Sequence, residues 1–119
     1  TIPGPGRRTV TPETVPGLEK AAFSTVVASD QPIAVDRTMT WDSTRYGSHA
    51  ETGIVAPLTR GFLAEGATTA GFQLFYLVQN PNTTPATVQV RYLLTVGTPL
   101  IRSYVVQPNS RATIWVNLE

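Results

Sequence analysis

The sequence predicts an all-β domain, an antiparallel β-sandwich. Three observations lead there. Apolar residues recur with period two along short segments, and those segments are separated by Pro, Gly and Asn turn chemistry at close spacing. The composition is rich in Thr, Val, Pro and Gly with only 14% charged residues, which suits strands and turns more than helices.

Residues 1–14 are Pro- and Gly-rich, and only Arg8 to Thr11 can pair as a short strand before Pro12 interrupts it. They read as a linker, or as an edge or donor strand at a repeat boundary, with the domain proper over 15–119. The stretch PGLEKAA (Pro16 to Ala22) offers one short helical turn, with Pro16 near its first position, and is too short to stand as an independent helix. FSTVVAS (Phe23 to Ser29), the Asp30-Gln31-Pro32 turn and IAVDRTMTW (Ile33 to Trp41) read as a hairpin. Asp42 to Gly53 lacks apolar periodicity and reads as the longest loop, and a short strand is expected around Thr59 to Ala64.

FQLFYLVQN (Phe72 to Asn80) is apolar on both faces, as a central strand would be. ATVQVRYLL alternates with Val88, Val90, Tyr92 and Leu94 inward, and across the Asn80 to Pro85 turn these two segments read as the main hairpin. LIRSYVV and RATIWVNLE complete a set of about seven or eight strands, the pattern of an immunoglobulin-like sandwich.

A chain of 119 residues is long enough for one domain with a core of its own. Nine Lys and Arg, eight of them Arg, stand against eight Asp and Glu for a net charge of +1. With no basic run beyond Arg7-Arg8, nucleic acid is not an expected partner. The absence of Cys excludes disulfides, thiol catalysis and Cys-ligated zinc. No apolar run reaches a membrane span, so membrane insertion is not expected. The N-terminus lacks a signal-peptide pattern, and an export signal would have been removed or would lie outside this segment.

Candidate chemistry is sparse, and no catalytic, cofactor or metal residues are assigned. His49 is the single histidine, near Glu51 and Asp42, without a second nitrogen or sulfur ligand for a tetrahedral metal. Asp30, Asp36 and Asp42 do not have calcium-hand spacing, although a calcium ion held by loop carboxylates stays open as an alternative. Glu65 with Asp36 or Glu51 could imitate a glycosidase pair; the simpler reading is a carboxylate that accepts backbone N–H groups or an Arg such as Arg37 or Arg60. Trp41, Tyr46 and Trp115 could form an aromatic platform for sugars, against the simpler reading of packing on a sheet face. Asn82-Thr83-Thr84 fits a glycosylation sequon in a predicted turn.

Two segments resemble each other. IPGPGRRTV near the N-terminus and VQPNSRATI near the C-terminus align with Arg7 on Arg111, Thr9 on Thr113 and Val10 on Ile114, an offset of 104 residues that suggests a repeat of domain size. The run Phe62 to Gly66, Gly71-Phe72, Asn80-Pro81, Thr87 to Tyr92 and Pro108 to Arg111, with the upstream VPGLEKAAFSTVVASDQPIAVDRTMTW and GSHAETGIVAP, resembles the repeat of long surface proteins of several bacterial lineages. The resemblance runs from about Val15 to the end of the chain. It implies export, a mainly β fold and tandem units on the cell surface or in an extracellular assembly, with no assigned catalysis.

The expected function is therefore a structural extracellular module, one unit of a repeat array or self-assembling fibre, whose partners are neighbouring copies or adjacent repeats. Arg7, Arg8, Thr9, Val10 and Thr11 are the candidate assembly strand. The alternative is an adhesion module that binds a surface glycan or protein through Trp41, Tyr46 and the long loop.

Overall fold

The computed structural model describes residues 1–41 and 47–119. Among the described residues the regular secondary structure is strand apart from two short 3-10 turns, and every strand pairing is antiparallel. The six strands among the described residues are β1 (Asp36–Trp41), β2 (Gly47–Thr52), β3 (Phe75–Asn80), β4 (Ala86–Tyr92), β5 (Leu100–Val106) and β6 (Ser110–Trp115). They form three two-stranded sheets, β1-β2, β3-β6 and β4-β5, where the sequence suggested seven or eight strands in a sandwich.

The β3 to β6 region holds the buried residues. Along β3, Tyr76, Val78 and Asn80 alternate inward; β4 turns Val88, Val90 and Tyr92 the same way, and β5 does so with Leu100, Arg102, Tyr104 and Val106. The two sheets meet through these positions, as the stacked rings of Tyr76 and Tyr92 show, with centroids 6.2 Å apart. Val106 and Ile114 are the buried apolar residues among those described, and Asn80 is the buried polar one.

The main hairpin is a correction. β3 pairs with β6, Tyr76 opposite Ile114, while β4 pairs with β5, Val88 opposite Tyr104. The reason lies in residues 80–85. Pro81 and Pro85 fix φ near −65° and lack N–H groups, so the segment cannot make the left-handed two-residue turn that brings adjacent strands into register. It carries the chain from one sheet to the other. Gln107 to Asn109 carries it back, with Asn109 in the left-handed region at φ 47°. The two crossings are joined where Asn109 N donates to Asn82 O at 3.0 Å.

The first hairpin is displaced as well. Residues 23–35 form no strand, and β1 pairs instead with β2, which lies in the stretch expected to be a loop. Period-two analysis misses β2 because the strand buries almost nothing on either face. Its register rests on polar cross-strand pairs, above all Arg37 opposite Glu51, whose side chains form an ion pair at 3.0 Å. Val26 and Val27 are adjacent, so a strand there needs cover on both faces, and both remain exposed. The strand expected at Thr59 to Ala64 is also absent: Gly61 interrupts it, and Phe62 and Leu63 lie open to solvent.

The helical turn falls earlier than PGLEKAA. A single 3-10 turn spans Pro12–Thr14, closed by Val15 N donating to Pro12 O, and Gly17 at φ 89° leaves the helical region just where the longer turn would start. A second 3-10 turn, Val116–Leu118, follows β6.

The accessible surface is 10643 Å² for 12.8 kDa, whereas a compact monomer of that mass exposes roughly 6,300 Å². The radius of gyration is 17.1 Å, against roughly 13.5 Å expected for the length. A single copy thus leaves a large apolar area open, and among the described residues the outer edges of the three two-stranded sheets carry no further strand.

Candidate functional site

Each two-stranded sheet presents two unpaired edges, rows of backbone N–H and C=O groups able to accept another strand. Residues 7–11, the candidate assembly strand, belong to none of the three sheets, and Val10 is exposed. Its counterpart Ile114 is buried in β6 opposite Tyr76. The same local pattern is therefore paired at one end of the chain and unpaired at the other.

The outer face of β3-β6 carries two partly exposed aromatic residues that stack on each other. Phe75 and Trp115 are direct cross-strand partners whose rings stack with centroids 5.6 Å apart and 23° between planes. The Trp115 indole N–H donates to Gln73 Oε1 at 2.8 Å, which fixes the ring. Leu77 follows on the same face, and Gln79, Arg111 and Thr113 complete it, with the Arg111 guanidinium donating to Thr113 Oγ1.

The sugar platform inferred from sequence is not assembled as a unit. Trp115 meets Phe75, while Trp41 is in the β1-β2 sheet, where its indole lies over Gly47 directly across the hairpin. Tyr46 lies outside the described residues, as does Asp42. At position 47 glycine gives space: a Cβ there would overlap the Trp41 indole at Nε1.

His49 belongs to an exposed cross-strand cluster. Arg37 Nη2 donates to His49 Nδ1 at 3.1 Å and to Glu51 Oε2 at 3.0 Å, so Nδ1 is the acceptor nitrogen of the ring. Arg37 thereby pairs with Glu51 and not with Glu65. No three His, Asp or Glu side chains converge on a metal position among the described residues.

Asn82 donates through its side-chain amide to Asn80 Oδ1 at 2.8 Å, so the sequon nitrogen is already engaged in the turn. Sequence reasoning missed the two asparagines that hold this region together. Asn80 Nδ2 donates to Thr84 O, Val106 O and Gln107 O at 2.8, 3.0 and 3.1 Å. Its Oδ1 also accepts from Asn82 N at 3.1 Å. At the other end of β3, Asn117 Oδ1 accepts from Leu74 N and its Nδ2 donates to Phe72 O, both at 2.9 Å. The available signal was an Asn at the end of a largely apolar strand segment, a residue that strands otherwise disfavour.

An open cleft of about 190 Å³ lies beside the core, lined by residues including Tyr92, Leu100 and Glu119. The Glu119 carboxylate is paired with Arg102 at 3.2 Å. The Tyr92 and Tyr104 hydroxyls are buried without a hydrogen bond of ordinary geometry. Desolvation pushes the Tyr104 phenol above its usual range, and the adjoining Tyr92 hydroxyl and Glu119 carboxylate push it the same way.

No helix among the described residues is long and apolar enough to cross a membrane. No protein-family model, curated protein or solved structure matches the chain.

Proposed function

We propose that this chain is a structural extracellular module, one unit of a cell-surface repeat array or self-assembling fibre. In this reading the body is an immunoglobulin-like sandwich that reaches its full strand number when neighbouring units add strands to its open edges. Residues 7–11 supply one such strand, and neighbouring copies or adjacent repeats are the partners. The observation that carries the proposal is the pairing of β3 to β6 into two open two-stranded sheets, with Val106 and Ile114 the buried apolar residues among those described. A fold so open gains stability chiefly by adding strands and cover, and edge addition supplies both through backbone hydrogen bonds.

The location and the tandem arrangement rest on the sequence pattern from Phe62 to Arg111 and on the duplicate of Arg111 to Ile114 at Arg7 to Val10. No catalytic step is proposed.

The test is deletion of residues 1–12. The edge-addition reading expects the truncated chain to keep its strand signal by circular dichroism and to form smaller assemblies by light scattering at matched concentration. An unchanged assembly size contradicts a donor role for this segment.

A further inference from the structure

We propose that the outer face of the β3-β6 sheet is a self-association surface that seats the same face of a second copy of this chain. This rests on the reading of the chain as an assembling unit, and it uses a surface distinct from residues 7–11.

Strand β3 is apolar on both sides. Tyr76 and Val78 face the β4-β5 sheet, while Phe75 and Leu77 face outward at 48% and 57% exposure. A half-solvated strand would carry polar residues at those outward positions; apolar residues on both faces belong to a strand covered from both sides. One cover is β4-β5. Trp115, 41% exposed and stacked on Phe75, extends the uncovered patch across to β6.

A second copy fits this face for three reasons. The accessible surface, with exposed apolar residues spread along the whole chain, exceeds that of a compact monomer of this mass by roughly 4,000 Å², more than the roughly 1,000–2,500 Å² per partner that an obligate dimer buries, so the chain has surface to spare for a dimer interface. The net charge of +1 lets two copies approach without strong repulsion.

The third reason is the order of side chains along the face. Phe75 and Trp115 form one end, Leu77 and Thr113 the middle, and Gln79 and Arg111 the other end. Rotation about a two-fold axis through the middle lays the aromatic end of one copy over the arginine end of the other. Each Arg111 guanidinium then meets the partner's stacked rings, a cation–π arrangement, while Leu77 packs against its own counterpart. None of the β3 and β6 residues is a carboxylate.

Sedimentation velocity of the full chain across a range of concentrations tests the proposal, alongside Leu77→Lys, Arg111→Gln and the chain lacking residues 1–12. Leu77 points outward, so Lys there is compatible with the folded monomer, which circular dichroism checks. The expected results are a reversible dimer for the full chain, dissociation raised at least about tenfold by Leu77→Lys, and about three- to tenfold by Arg111→Gln. A chain monomeric at every concentration overturns the proposal, and so does a Leu77→Lys variant that dimerises like the parent. Self-association lost on deleting residues 1–12 but kept in Leu77→Lys also overturns it, and leaves the edge-strand reading standing. Dimerisation lost in Leu77→Lys but kept without residues 1–12 supports this face and removes the donor segment. A monomer that binds glycans through Trp115 assigns the face to sugar and overturns the second copy as occupant.

Discussion

The side-chain amide of Asn80 donates to the main-chain carbonyl of Val106 at 3.0 Å, joining the end of β3 to the end of β5 across 26 residues of chain. Both residues are buried, at 2% and 1% exposure, and the bond lies where the chain crosses between the two sheets. Nearly all the hydrogen-bonding capacity of Asn80 is used there, on Thr84, Gln107 and Asn82 as well as Val106.

Asn80→Ala strands several buried carbonyl and N–H groups at once. It is expected to lower stability by about 2–4 kcal/mol, which urea unfolding followed by circular dichroism measures. Asn80→Asp retains the acceptor for Asn82 and loses the donors to Val106 and Gln107, so it should destabilise as well. A loss under about 0.5 kcal/mol for both variants would show that the crossing does not depend on this side chain.

The apolar core makes a sharper contrast. Ile114→Ala should cost about 2–4 kcal/mol, because Ile114 is buried in β6 opposite Tyr76. Val55→Ala, at a fully exposed position, should stay within about 0.5 kcal/mol. Equal effects in the same urea titrations would mean that Val55 is covered in solution and that the open surface is smaller than described.

At Gly47 the prediction concerns space. A Cβ at this position collides with the Trp41 ring, so Gly47→Val should expel the indole from its place across the hairpin. In a Trp115→Phe background, where Trp41 is the single tryptophan, the emission should shift to the red. An unshifted spectrum would show that Trp41 does not rest on Gly47.

The Tyr104 phenol titrates above its ordinary range, chiefly through desolvation. A phenol held neutral in the fold contributes stability in full below the unfolded value of about 10, and that contribution is lost as pH rises through the folded value. Urea midpoints should therefore hold steady up to about pH 10 and fall above it, and Tyr104→Phe should flatten the fall. An identical alkaline decline in Tyr104→Phe would assign it to other groups.

How much of this was legible in sequence depended on burial. The strands that alternate between a covered and an open side were readable nearly to the residue: LIRSYVV is β5, and the Thr87 to Tyr92 alternation lies within β4. Strand β2 was not readable, because neither of its faces is covered and its register comes from Arg37, His49 and Glu51. Pairing was harder than existence. Asn80 to Pro85 carries the residue types of a turn, but two prolines and the multiply bonded Asn80 make it a crossing between sheets. The aromatic platform failed as a unit because period-two patterns give the face of a residue and not the sheet it belongs to, and Trp41 and Trp115 lie in different sheets.

Backbone amide hydrogen exchange as a function of protein concentration tests the central claim, that open sheet edges are completed by neighbouring units, most directly. The N–H groups of β3 to β6 not used in the β3-β6 and β4-β5 ladders face the open edges. Their protection should rise with concentration, as should that of residues 7–11, while amides inside the ladders change little. Edge amides that exchange equally fast at every concentration would contradict the claim.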